Sequence, residues 1–491
     1  MRDWLALRAQ ATPTRPALID ARSGETTDYG RLDERVEKLA GRLAALGVGV
    51  DDHLGVLART RPAFVDLVHA AARVGAVLVP VNARLTEREV EQALARADVD
   101  RLVCEAETEA VATAATDGVV SLDPPTAGAR DLAQVDPEPF ELCSWAPEQT
   151  QLLLSTSGTT GDPKLVRLTM RNLAASAAAS SWRLGVLPDD RWYCPLPMYH
   201  MGGLAPVYRS VLYGTAVVLA APGSFDPEQA LAEMATHDAT CTSVVPTMLR
   251  DLLAVDTGTL ADLRFVLTGG AATPERLVEQ ARAADVPVCP SYGMTETASQ
   301  VATARPADAD VAPGSVGHPL VFTEVTVVDD TGAELPAGET GEIRVDGATV
   351  TPGYYDDPEA TEAAFGSGGF HTGDAGYRDE QGRLWVLNRL DDRIVTGGEN
   401  VDPGEVATVL REYPDVTDAF VVGLPDDRYG QRVAAAVTGV DADEMEQLEA
   451  FARDRLAGFK CPRSWRAVDA LPRTASGTVD RAAVRALFED G

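Results

Sequence analysis

Lysine is almost absent from this chain: of 43 basic residues only Lys38, Lys164 and Lys460 are lysines, and the others are arginines. Acidic residues outnumber the basic ones at 75, which sets the formal charge at −32. That balance excludes a surface for nucleic acid or anionic membrane, since like charges repel the partner. The acids are spread along the chain rather than gathered in a tail. An evenly acidic, lysine-poor surface keeps a protein soluble where salt confines electrostatic interactions to roughly 3 Å at 1 M, so an extreme halophile is expected. Clustered cysteines are missing too. Cys104, Cys143, Cys194, Cys241, Cys289 and Cys461 lie far apart with no CxxC pair, which suggests neither a disulfide framework nor a thiolate metal site and fits a reducing cytosol. No apolar run approaches the roughly 20 residues of a membrane span. Charges also interrupt the N-terminal MRDWLALRAQATPTRP. The expectation is a soluble, uncleaved, cytoplasmic protein.

What is present is a chain of 491 residues, 45% hydrophobic, enough for a large core and two or more domains. Apolar residues at helical spacing in YGRLDERVEKLAGRLAAL (29–46) alternate with short β-rich runs such as DHLGVLA and GAVLVPV. The alternation predicts α/β architecture with substantial parallel sheet. Residues 122–148, rich in Pro and acid, read as an irregular surface crossing. Toward the C-terminus the pattern shortens to helix (Pro403–Glu412), strand (DAFVVGL), strand (RVAAAVTGV), helix (Asp443–Leu456), strand (SWRAVDAL) and helix (Asp480–Phe488). These elements predict a separate α+β domain over 391–491, after a large domain over 1–390, with the boundary near Asn388–Asp392.

The most informative stretch is LLLSTSGTTGDPK, ending at Lys164. A strand that ends in Ser155 and runs on through Gly158 and Gly161 can turn backbone N–H groups inward, while Thr156, Ser157, Thr159 and Thr160 add hydroxyl donors. Phosphate is the natural occupant of such a concave site. It is not a Walker A loop, because Lys164 follows Asp-Pro and precedes Leu165 rather than closing a GK[ST].

Further motifs follow in order: LTGGA (267–271), SYGMTE (291–296), HTGD (371–374), NRLDDRIVTGGENVDPGEV (388–406) and PRTASGTVDR (472–481). With the phosphate loop they resemble the adenylate-forming acyl-CoA synthetases along nearly the whole chain. The resemblance implies a large multi-sheet N-terminal domain, a small mobile C-terminal domain, and ATP, Mg²⁺ and coenzyme A as cofactors and substrates. It implies that Lys164, His200, Thr295 and Glu296 carry catalysis. Ser155 to Gly161, Gly269, Gly270, Tyr292, Gly293 and Thr295 would bind nucleotide, Tyr292 giving adenine a flat face and Thr295 a donor to the α-phosphate. Glu296 would supply a hard carboxylate to Mg²⁺. By residues alone, YGMTE reads equally as a helix start with Thr and Glu as capping residues. Asp374 and Arg389 would hold the ribose. The small domain would pivot at Asp391 between half-reactions, and Gly397 and Gly398, with Glu399 beside them, would line a tunnel for the thiol.

Three local strings, LPMYHMGGLAPVYRSVLYGTAVVL, SYGMTETASQVATARP and NRLDDRIVTGGENV, resemble the o-succinylbenzoate–CoA ligases of menaquinone synthesis more closely than fatty-acyl enzymes. That substrate carries a second carboxylate on its ring, which needs a cation or donors once water is excluded. Arg209, on the helical pattern after His200, is the candidate, with His200 and Ser299 beside the substrate. The competing reading makes Arg209 a surface arginine paired with one of many acids. One position departs from the family. Thr478 stands where the resemblance implies a lysine that holds the carboxylate and α-phosphate; Arg473 and Arg481 in the same loop are the nearest other cations, and Lys460 lies at a position matching a linker residue. An aryl- or medium-chain acyl-CoA ligase and a nucleotide-binding protein impaired in adenylation therefore stay open. So does the oligomeric state, a homo-oligomer included. The expected partners are a small carboxylic acid, ATP and the thiol.

Overall fold

The computed structural model of the protein describes residues 3–156, 163–366, 368–390, 394–396, 399–401, 403–426, 428–441, 444–473 and 479–488. The chain divides into two compact units, Met1–Val325 with Val345–Phe370, and Thr326–Arg344 with His371–Gly491. Residues 371–390, expected in the larger domain, thus group with the C-terminal segment, as does the excursion Thr326–Arg344.

The first unit is built on two sheets. In the seven-stranded one the order is Arg130–Asp131, Val120–Ser121, Arg101–Cys104, His53–Leu57, Val77–Pro80, Thr150–Ser155, Leu165–Thr169. His53–Leu57 pairs parallel with both neighbours, and Leu54 and Val56 on one face and Leu57 on the other are all buried, the pattern of a strand covered on both faces. One cover is the helix Pro62–Val74. Pro62 opens it where a missing N–H costs nothing, and Gly75, at φ +87°, ends it in the left-handed conformation. Residues 122–148 hold only the short pieces Arg130–Asp131 and Leu132–Gln134. They are not purely superficial, since Trp145 is buried and donates its indole N–H to the Ala72 carbonyl at 2.7 Å.

The nine-stranded sheet runs His318–Pro319, Ser299–Thr303, Val288–Met294, Phe265–Thr268, Cys241–Val244, Arg191–Cys194, Ala216–Leu219, Pro16–Asp20, Thr26–Asp28. From Val288 back to Pro16 the pairings are parallel; Ser299–Thr303 then reverses direction against Val288–Met294. Leu54, Leu152, Phe64, Leu204 and Val207 share one apolar cluster, so the helix Met201–Tyr213 is seated deep in the unit. A further five-stranded sheet contains Thr323–Val328, Gly341–Gly347, Phe365–Gly366, Gly369–Arg378 and Leu384–Arg389.

In the second unit the C-terminal elements match the sequence reading to within a few residues at each end. Helices span Pro403–Arg411, Met445–Arg455 and Arg481–Ala486, and strands span Asp418–Asp426, Gly430–Thr438 and Ser464–Ala467. The period of two in VAAAV decides both faces. Val433, Ala435 and Val437 pack with Val406, Leu410 and Leu448, whereas Ala434 and Ala436 pack with Val484 and Phe488. No helix of the described residues is long and apolar enough to cross a membrane.

Candidate active site

Ser155 ends its strand opposite Leu165, and the next residue closes the hairpin: the Thr156 N–H donates to the Lys164 carbonyl at 2.9 Å. Ser157, Gly158, Thr159, Thr160 and Gly161 lie outside the described residues. Lys164 places its ammonium 4.9 Å from the centre of the Tyr354 ring. The same tyrosine donates its hydroxyl to Glu296 Oε1 at 3.1 Å. Backbone bonds fix this corner. The Thr351 N–H donates to the Glu296 carbonyl at 2.7 Å, and Val166 forms an antiparallel bridge with Tyr354.

Glu296 is presented by a strand, a short turn and a returning strand. Val288–Met294 and Ser299–Thr303 pair antiparallel with a register shift between Tyr292 and Gly293. A Cβ at Gly293 would sit 1.8 Å from the Ser299 carbonyl oxygen, so only glycine fits. Thr295–Thr297 form a 3₁₀ turn too short for the helix start that YGMTE alone allowed. Ala298 and Ser299 follow with φ of +52° and +126°, unusual for residues with side chains. Ser176 donates to the Ala298 carbonyl at 2.6 Å and holds that turn against the helix Met170–Leu184. Buried Gln300 bonds Ser180 and, at 2.7 Å, Thr303, securing the returning strand. Gly269 follows the neighbouring strand Phe265–Thr268, and a Cβ there would approach the Ser291 carbonyl to 3.1 Å. Gly270 has a φ of +78°.

Arg209 is not at the surface. It is 3% exposed, and its guanidinium lies 4.2 Å from the centre of the Trp192 ring. Its Nε and Nη1 have no hydrogen-bond partner, and burial pulls its pKa down to about 10. The reading of Arg209 as a surface arginine paired with an acid is therefore overturned: the helix that carries it is packed into the core on that side. Arg209 lines a small cavity with Leu173, Ser176, Ala177, Met201, Tyr208 and Ala298. That cavity brings it beside Ala298, two residues from Glu296. His200 caps the N-terminus of the same helix, half-buried, with its ring edge-on to Tyr199 at 4.8 Å. Burial, and then the positive charge of Arg84, hold its pKa below the usual imidazole range, so it is neutral at pH 7.

In the second unit, Asp374 is buried and faces Arg389 across an antiparallel pair. Arg389 Nη1 donates to Asp374 Oδ1 at 3.1 Å and to the Thr372 carbonyl at 2.8 Å, which fixes the carboxylate. Asp391, Gly397, Gly398 and Thr478 lie outside the described residues, and Glu399 begins the strand Glu399–Val401. Arg473, a candidate in place of a lysine at 478, is engaged, and so is Lys460. Arg473 bonds Asp418 at 2.9 Å, and Lys460 holds both oxygens of Glu405 at 2.7 Å. Arg481 begins the last helix.

A family model described as AMP-binding enzyme matches residues 5–355, and its C-terminal companion matches residues 405–478. The chain belongs to the AMP-binding enzyme family. A 2-succinylbenzoate–CoA ligase of Listeria monocytogenes is 36% identical, over 98% of each chain. The o-succinylbenzoate CoA synthetase of Bacillus subtilis, solved with its acyl-adenylate intermediate, superposes with a TM-score of 0.91 at 34% identity. That alignment covers 99% of this chain and 98% of that one. The same synthetase solved with ATP and a magnesium ion gives 0.88, again at 34% identity, over 98% and 99%.

Within this AMP-binding enzyme, the first unit brings together Lys164, Thr295, Glu296, Tyr292, Gly269, Ser299 and Arg209 from segments far apart in sequence. Tyr354, Ser176 and Gln300 were missed by the sequence reading. Tyr354 sits in TPGYYDDPEA, where the neighbouring Pro and Asp residues read as a turn and nothing local marks a partner for Glu296.

Proposed function

We propose that this AMP-binding enzyme joins 2-succinylbenzoate to coenzyme A at the expense of ATP, giving 2-succinylbenzoyl-CoA, AMP and diphosphate. In the first half-reaction a carboxylate oxygen of the succinyl arm attacks the α-phosphorus, the bond from that phosphorus to the bridging oxygen breaks, and diphosphate leaves. Tyr292 stacks on adenine, and Asp374, oriented by Arg389, accepts from the ribose hydroxyls. Thr295 donates to the α-phosphate, and Lys164 offsets charge on the departing diphosphate. Glu296 offers one hard carboxylate, and among the described residues no group of three or more His, Cys, Asp or Glu gathers to cage an ion. That donor set fits Mg²⁺: Glu296 would help to hold the ion, which when bound would neutralise charge developing on the phosphates. In the second half-reaction the thiol sulfur attacks the acyl carbonyl carbon, AMP leaves and the thiol proton is lost to solvent. The small domain turns about Asp391 between the two, bringing Gly397 and Gly398 to the thiol, with neutral His200 beside its path.

The observation that carries the choice of acid is Arg209, a buried cation with unbonded N–H groups beside the turn that presents Glu296. A ring carboxylate supplies what those groups lack. The test compares 2-succinylbenzoate with 3-benzoylpropionate, the same molecule without the ring carboxylate, by CoA-dependent AMP release in molar KCl, where an acidic, lysine-poor surface is suited to work. A preference of about tenfold or more for the dicarboxylate, lost in Arg209→Ala, supports the reading. Equal use of both acids defeats it and favours an aryl- or medium-chain acyl-CoA ligase.

A second reading, a nucleotide-binding protein impaired in adenylation, draws on Thr478 and on the ion pairs that occupy Arg473 and Lys460. Single-turnover measurement of each half-reaction separates the two. A protein that uses preformed acyl-adenylate but never makes it from ATP fits the second reading alone.

A further inference from the structure

Lys164 and Glu296 carry opposite charges toward the same substrate, yet each rests on a different part of one side chain. The Tyr354 ring lies 4.9 Å from the Lys164 ammonium, a cation–π distance, and the Tyr354 hydroxyl bonds Glu296 Oε1 at 3.1 Å. Tyr354 is itself immobilised. It is 8% exposed, its N–H donates to Thr361 Oγ1 at 2.9 Å, and its backbone bridges Val166, two residues from Lys164. The neighbouring Thr351 ties the Glu296 carbonyl to the same segment. A side chain held this firmly can hold others.

The geometry points to Tyr354 as a positioning residue for both charged groups of the Mg²⁺·ATP site: its hydroxyl aims the Glu296 carboxylate and its ring keeps the Lys164 ammonium near it. The hydroxyl bond to Oε1 restricts the rotation of the Glu296 carboxylate. The ring attracts Lys164 weakly enough for a triphosphate to draw it away, whereas a direct ion pair with Glu296 would have to be broken first. The inference rests on the reading of Glu296 as the carboxylate that meets Mg²⁺ and of Lys164 as the phosphate-loop cation, and it adds a residue that neither motif contains.

The first measurement needs neither acid nor thiol. Equilibrium binding of ATP to the full chain is measured calorimetrically at stepped MgCl₂ for the native protein, Tyr354→Phe, Tyr354→Leu and Glu296→Gln. The Phe variant keeps the ring and loses one oxygen. It is expected to raise the Mg²⁺ concentration for half-maximal enhancement of ATP binding by about fivefold or more, while ATP affinity without Mg²⁺ stays within about twofold. The Leu variant, which removes the ring too, is expected to weaken ATP binding even without Mg²⁺. Turnover of preformed acyl-adenylate with the thiol should be unchanged in the Phe variant, a split that a general packing defect would not give. An unchanged or lowered Mg²⁺ requirement in Tyr354→Phe overturns the aiming role, and equal ATP binding by the Phe and Leu variants overturns the role of the ring. Glu296→Gln separates the two levels. If it leaves the Mg²⁺ requirement unaltered, the reading of Glu296 fails; if it abolishes Mg²⁺ enhancement while Tyr354→Phe does nothing, only Tyr354 is misassigned.

Discussion

Two charged regions lie close together in the first unit and are built on opposite principles. Around Glu296 the charges have partners within the protein: the carboxylate accepts from Tyr354, and Lys164 rests on the same ring. Around Arg209 a buried guanidinium has the Trp192 face against it but leaves Nε and Nη1 unbonded. The first arrangement loses little when no substrate is bound, because a ligand exchanges one set of contacts for another. The second carries a standing desolvation cost that an incoming anion relieves. A site that must handle a mobile polyphosphate is served by the first, and one that must select a fixed ring carboxylate by the second.

The comparison breaks most visibly at Glu296. Glu296→Gln should retain the fold and lose adenylate formation by about 10²-fold or more, read as pyrophosphate release, since a neutral amide replaces the charge that meets Mg²⁺. Unchanged release would remove Glu296 from the mechanism. At Arg209 the effect is smaller and falls on a different constant. Arg209→Ala should raise KM for 2-succinylbenzoate by a factor equivalent to about 1.5–3 kcal/mol, with KM for ATP little altered. Arg209→Met should at the same time raise the melting temperature, because an apolar side chain of similar length ends the cost of the unpaired charge. A Met variant that melts lower would mean that Arg209 is a structural element.

Position 478 tests what the missing lysine costs. Thr478→Lys should raise the single-turnover rate of adenylation by about tenfold, equivalent to about 1.4 kcal/mol, and leave thioester formation from preformed adenylate unchanged. Equal adenylation rates would place position 478 away from the chemistry.

The smallest effect concerns a buried polar group outside the site. His69 is buried with Nε2 unbonded, and burial lowers its pKa, with Asp3 opposing that shift and Arg73 adding to it. Its folded pKa lies below the unfolded value of about 6.5, so the unfolded chain binds the extra proton and stability falls as pH drops through that value. His69→Met should flatten the loss of urea resistance between about pH 7 and 5. An unaltered pH profile would show that other groups dominate acid lability.

The chain's motifs were legible wherever a short string has one chemical use. The phosphate-loop string was read from adjacent residues, the Tyr292–Glu296 run and Asp374 only through the series of motifs to which they belong, and the C-terminal helices and strands from periodicity alone. Arg209 was readable as a candidate, but the choice between core and surface was not, since VYRSVL is compatible with both. Tyr354, Ser176 and Gln300 were invisible for a stronger reason. Each acts on a residue far away in sequence: Tyr354 and Ser176 on the turn around Glu296, and Gln300 on the helix that holds that turn.

The sequence by itself determined the reaction class and the alternation of helix and strand, because motif strings and hydrophobic period are local properties of the chain. Only the tertiary structure decided which charges keep partners and which are left to a ligand. That is a matter of desolvation, and a guanidinium or carboxylate is desolvated by whatever packs around it in three dimensions, here Trp192 against Arg209 and Tyr354 against Glu296.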